Sequence, residues 1–65
     1  MEELIKRIEP ERIYSTREVA ELLGVNSGTV RYWIRKGWLK GFRVGGRFKV
    51  EGKALQDFVK RGMSG

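Results

Sequence analysis

Sixty-five residues with a net charge of +6 and neither cysteine nor histidine leave room for one small domain. They exclude a disulfide framework, a thiolate metal site and histidine-based catalysis, so no enzyme and no cofactor is expected. The charge is uneven: residues 1–30 carry four Lys and Arg against six Asp and Glu, residues 31–65 carry ten against two, and between Arg31 and Lys49 there are seven cations and no anion. That density suits a polyanionic partner. No apolar run approaches the length of a signal or spanning segment, so a cytoplasmic location and no membrane partner are expected.

In chain order, residues 1–9 read as a short helix, with Leu4, Ile5 and Ile8 on one side, Glu2 and Glu3 at its start and Lys6 and Arg7 near its end, as the helix dipole favours. Pro10 ends it. Too short to stand alone, the helix is expected to cover the core, with self-association as the alternative. Glu11 to Tyr14 reads as a connector from which Ile13, and after it Tyr14, reach inward.

Ser15 followed three residues later by Glu18 is a capping-box pattern, so a helix is expected over 16–23. Val19, Leu22 and Leu23 share its apolar face, Ala20 is small enough for a second helix to cross closely, and Gly24 is the stop. Asn26 is a good N-cap for a second helix over 27–36, a cap whose loss costs about 1 kcal/mol. On that helix Val30, Trp33 and Ile34 form the inward stripe, while Gly28, Arg31, Tyr32 and Arg35 face outward, flanked by Thr29 and Lys36. An outer face of arginine, tyrosine and glycine with no acid on it, held across a first helix by a short turn, suits a DNA major groove. Gly28 there lets a phosphate or base edge approach the helix N-terminus.

Gly41 to Val50 reads as a β-hairpin. Phe42, Val44, Phe48 and Val50 are expected on one face, toward the helices, and parity then fixes a three-residue loop, Gly45 to Arg47, with Arg47 at the tip. That register sets Arg43 across from Lys49, a like-charge pair that a phosphate would relieve. A last helix is expected over 53–61, with Leu55, Phe58 and Val59 inward, Lys60 and Arg61 in structural roles at its C-terminal end, and 63–65 frayed.

The stretch YSTREVAELLGVNSGTVRYWIRKGWLKGFRVGGRFKV closely resembles the winged helix-turn-helix module of the excisionase and MerR-like group: an EVA..LGV helix, a second helix ending in a basic residue and glycine, a basic wing containing Gly-Gly, and a closing helix. The resemblance implies a mostly α fold with a small β-hairpin, a winged helix-turn-helix in a single domain over 1–62. It also implies a double-stranded DNA partner, with the second helix in the major groove and the wing on the backbone or in the adjacent minor groove. Carried over position by position, the helix contacts are Asn26, Ser27, Thr29, Arg31, Tyr32 and Arg35, and the wing contacts Arg43, Arg47 and Lys49. Many relatives have a large basic residue where Gly28 stands. Activators of the group continue into a dimerising helix and an effector domain, so a small accessory DNA binder without a small-molecule effector is expected here. Such a protein would work with further copies on adjacent sites, a recombinase or a polymerase. The second reading is a protein-interaction module that keeps the fold without binding DNA, which a neutral second helix would have favoured.

Overall fold

The connector ahead of the helix-turn-helix is a strand. In the computed structural model, which describes residues 2–62, the order is α1 (Glu2–Arg7), β1 (Ile13–Ser15), α2 (Thr16–Leu23), α3 (Ser27–Arg35), β2 (Phe42–Val44), β3 (Arg47–Glu51) and α4 (Gly52–Lys60). The expected helix start at Met1 and the frayed tail 63–65 lie outside the described residues. Within them α1 ends at Arg7, before Pro10, and Ile8 is already in the core.

Local chemistry sets both helices of the central pair. The Glu18 N–H donates to Ser15 Oγ at 3.1 Å while the Ser15 N–H donates to Glu18 Oε1 at 2.9 Å, completing the capping box at the start of α2. At its end the Val25 N–H reaches back to the Ala20 carbonyl at 3.0 Å, closing the helix at Gly24. Asn26 Oδ1 accepts the Thr29 N–H at 2.8 Å and so opens α3. Gly37, at φ +80°, ends it: the Trp38 N–H bonds the Trp33 carbonyl and the Gly37 N–H bonds the Ile34 carbonyl, each at 3.0 Å, in a Schellman motif.

β3 is the middle strand of an antiparallel sheet ordered β1-β3-β2. Tyr14 pairs with Val50, and both are buried. Ile13, one residue earlier, faces the other way and is exposed, so Tyr14 rather than Ile13 supplies the inward side chain. The wing register also differs from the parity expectation. Gly45 and Gly46 alone form the loop, with Val44 opposite Arg47, Arg43 opposite Phe48 and Phe42 opposite Lys49. Both glycines have positive φ, +57° and +82°, the combination a type I′ hairpin turn needs. Phe42 and Val44 consequently lie on the sheet face away from Val50 and remain exposed, and Arg43 faces Phe48 instead of Lys49.

The core joins all the layers: Ile8, Tyr14, Val19, Ala20, Val30, Leu39, Val50, Leu55, Phe58 and Val59 are buried, and Trp33 packs on Phe58 with ring centroids 4.9 Å apart. α4 starts one residue before the expected position and lacks a side-chain cap at Glu51. The Gly52 N–H donates to the Arg12 carbonyl at 2.8 Å and the Lys53 N–H to the Pro10 carbonyl at 3.0 Å, so the connector satisfies that helix start. Gln56 in turn donates to the Ile8 carbonyl at 2.9 Å, tying down the end of α1. Four helices with a three-stranded sheet whose β2–β3 hairpin stands beside the second helix of the pair make a winged helix-turn-helix. Among the described residues, no helix is long and apolar enough to cross a membrane.

Candidate nucleic-acid interface

A turn of 100° per residue divides the outer half of α3 into three strips. Ser27, Arg31 and Arg35, at four-residue spacing, run along one edge; Gly28 and Tyr32 lie at the middle; Thr29 and Lys36 lie on the opposite edge. The wing meets the first strip. Between them is an open cleft of about 590 Å³ lined by Ser27, Arg31 and Arg35 of α3, Arg43, Gly46, Arg47, Phe48 and Lys49 of the wing, and Ser15, Thr16 and Arg17 at the start of α2.

Of the nine contacts implied above, together with Gly28 and Lys36 of the outer α3 face, six share one concavity: Ser27, Arg31, Arg35, Arg43, Arg47 and Lys49. The other five, Asn26, Gly28, Thr29, Tyr32 and Lys36, lie outside it. Asn26 Oδ1 is committed to capping, since it also accepts the Thr29 hydroxyl at 3.2 Å. Tyr32 and Lys36 turn toward Trp38, whose ring lies 5.7 Å from that of Tyr32 and 5.9 Å from Lys36 Nζ. One cation was missed. Arg17 sits two residues after the N-cap of α2, on the polar face of that helix, and only the way α2 meets α3 and the wing brings it into the cleft lining.

Six cations and no anion line this cleft. Among the described residues the ion pairs are Arg12–Glu18 at 2.8 Å and Arg12–Glu9 at 3.5 Å, and none involves a cleft cation. The lining charges are thus held together by packing, at a repulsive cost that an inserted anion removes. Two contacts orient individual guanidinium groups: Arg43 lies over the half-buried Phe48 ring, 5.1 Å from its centroid, and Arg31 Nη1 donates to Ser27 Oγ at 3.4 Å. A planar arginine fixed over an aromatic ring loses less freedom when it takes a phosphate.

Glu9 and Glu18 are engaged by Arg12, away from the cleft. The Ser15 backbone N–H holds the Glu18 carboxyl below its ordinary value against the opposing effect of burial, and Arg12 adds to the lowering. Glu18 in turn raises the Arg12 guanidinium. A second groove, about 810 Å³, runs between the end of α3 and α4 and is lined by Ile34, Trp38, Leu39 and Ala54 with Asp57 among its cations. It is more apolar, holds an acid and contains none of the outer α3 residues, so it is the weaker candidate for a polyanion.

The model of a helix-turn-helix domain matches residues 13–63 of this chain. Among curated proteins, the chain is 38% identical over 56 residues to magnetosome protein MamR of Paramagnetospirillum magneticum strain AMB-1, covering 86% of this chain and 67% of the relative. It is 36% identical over 56 residues to magnetosome protein MamR of Magnetospirillum gryphiswaldense strain MSR-1, with the same coverage. No solved structure matches.

Proposed function

The chain belongs to the helix-turn-helix domain family, and from that premise we propose that it binds double-stranded DNA sequence-specifically. α3 enters the major groove, and the wing lies on the backbone or in the adjacent minor groove. What carries this reading is that Arg31 and Arg35 of the second helix and Arg43, Arg47 and Lys49 of the wing line one acid-free cleft. Arg31 and Arg35 read base edges or grip flanking phosphates, while the wing cations and Arg17 hold the backbone and add affinity without sequence information. Gly28 and Tyr32, central on the outer face of α3, come closest to the bases. Asn26 and Thr29 act through the cap, which takes the Thr29 N–H and leaves those of Ser27 and Gly28 to meet a phosphate.

One module of this size covers roughly 600–1,000 Å² of DNA interface, modest for genomic specificity, so further copies on adjacent sites are part of the proposal. The finer role is that of a small accessory protein in the cytoplasm, either an excisionase-like directionality factor or a transcriptional regulator of the excisionase and MerR-like kind. The relatives' shared name, magnetosome protein, favours neither.

The test is a titration of labelled random-sequence and genomic duplexes over a range of salt. Binding should weaken with salt along a log–log slope of about −0.9 per phosphate neutralised. Absence of any complex at low ionic strength overturns the proposal.

A further inference from the structure

Trp38 belongs to neither the reading helix nor the wing and does not line the cationic cleft, yet it touches the outer face of α3 in two places. The Tyr32 ring meets it edge-on, with centroids 5.7 Å apart and an interplanar angle of 87°, and Lys36 Nζ stands 5.9 Å from its centroid. Both distances lie in the attractive range for a T-shaped aromatic pair and for a cation over an indole. Tyr32 is otherwise exposed, at 46%. An exposed tyrosine or lysine on a helix samples several rotamers, and ordering it on binding costs free energy.

Trp38 is itself held from three directions. Its N–H donates to the Trp33 carbonyl at 3.0 Å, in the Schellman motif that Gly37 closes. Its carbonyl accepts from Arg61 Nη2 at 3.2 Å, at the far end of α4. The next residue, Leu39, is fully buried, and its N–H also bonds the Trp33 carbonyl, at 3.2 Å. With its backbone fixed in this way and the partly buried indole packed against the core, the ring sets the direction of whatever leans on it.

We infer that Trp38 is a positioning residue for recognition: it preorders Tyr32 and Lys36, so that the edge of α3 away from the wing meets the DNA groove in one conformation. The inference rests on the duplex-binding reading above and goes beyond it. It distinguishes the arginine edge of α3, which lines the cleft, from the central Tyr32 and the Lys36 beyond it, ordered from outside the helix-turn-helix through the Gly37 turn and Arg61, the C-cap of α4. Preorganisation lowers the cost of binding without adding a contact.

The experiment selects preferred sequences from a random 20-base-pair duplex pool with wild type, Trp38→Leu, Trp38→Phe, Tyr32→Leu and the Trp38→Leu/Tyr32→Leu double variant, then measures each protein on the wild-type winner and on unselected duplex. Thermal unfolding confirms that each variant is folded; if Trp38→Leu is not, Trp38→Phe and Arg61→Gln carry the test, the latter removing the guanidinium from the Trp38 carbonyl. The expected result is that Trp38→Leu loses about threefold to tenfold affinity on the selected duplex and much less on unselected duplex, matching one T-shaped pair. Trp38→Phe should keep most of the discrimination. In the Tyr32→Leu background Trp38→Leu should cost less than it does alone, because the Tyr32 contact is already gone and only the Lys36 contact remains to be lost. An equal loss on both duplexes, or two changes that simply add, overturns the positioning role while leaving duplex binding intact. Failure of wild type to enrich any sequence overturns the sequence-reading proposal itself, and this inference with it.

Discussion

Val44 lies directly opposite Arg47 across a loop of only two residues, Gly45 and Gly46. The wing tip is therefore narrow and carries no side chain of its own. Both loop residues have positive φ, which a β-branched residue adopts only at a cost of about 1–2 kcal/mol. Gly46→Val should lower the unfolding free energy by that amount, read as a lower denaturant midpoint at unchanged slope, whereas Gly45→Asn should be nearly neutral because Asn-Gly is the preferred type I′ pair. Equal effects of the two changes would show that the turn is not of this type.

Two glycines on helix first turns should respond oppositely to alanine. A methyl group on Gly52 would run into the Glu9 carbonyl, because the connector carbonyls that satisfy the start of α4 approach to backbone contact. Gly52→Ala should cost about 3 kcal/mol through overpacking, a large part of the roughly 3–10 kcal/mol expected for a domain of this size, and so lower the melting temperature by roughly 12–24 °C. On Gly28 the methyl would meet only Asn26 Oδ1 at 3.2 Å and the Arg31 side chain at 3.7 Å, a fit that needs a slight give. Gly28→Ala should hold or slightly raise the melting temperature through helix propensity. Its duplex affinity should fall by about 1 kcal/mol if a phosphate approaches this turn. A variant that binds as well as wild type would remove Gly28 from the interface.

These two glycines also mark what was legible in the sequence. The caps of α2 and α3, the inward stripe of α3 and its stop at Gly37 depend on residues within one or two turns of each other, so spacing alone predicts them. β1 did not show, because three residues, Ile13 to Ser15, are too short to display an alternation and owe their pairing to β3, more than thirty residues later. The wing register was misread through the assumption that Phe42, Val44, Phe48 and Val50 share a face. The sheet is two-sided, and the Gly-Gly pair, a local signal for a two-residue turn, outweighs parity. Within the cleft, the α3 and wing arginines follow from charge and helical phase, whereas Arg17 and the Phe48 floor under Arg43 depend on how α2 and the wing meet in space.

Acid should loosen the molecule through Glu18. Its carboxyl is held below the ordinary carboxylate value, first by the Ser15 N–H and then by Arg12. A folded-state value below the unfolded one means that its contribution is present above about pH 4.5 and is lost as pH falls through the lowered folded value. The pair is largely solvent-exposed, so the effect is small. Melting temperature should stay level from pH 8 to 5, with no histidine to titrate, and decline below that. Glu18→Gln keeps an acceptor for the Ser15 N–H but not the charge, so its curve should decline less between pH 5 and 3. A wild-type-like decline in that variant would place the acid sensitivity elsewhere.

Arg35 and Lys49 line the same cleft from opposite walls, and their substitution should separate the two kinds of contact made there. Arg35 comes from the outer face of the helix proposed to read bases, so Arg35→Ala should cost about 1–3 kcal/mol on a selected duplex and relax selectivity at the positions it reads. Lys49 comes from a strand of the wing, next to the backbone in the proposed pose. Lys49→Ala should weaken selected and random duplexes alike and reduce the magnitude of the salt slope by about 1. Arg17→Ala, at the α2 wall, should behave like Lys49→Ala. Fluorescence anisotropy at several salt concentrations, on one selected and one scrambled duplex, reads all three variants. Identical profiles for Arg35→Ala and Lys49→Ala would mean that the cleft grips the phosphate backbone with both walls, and the base-reading role would then pass to the Tyr32 side of α3.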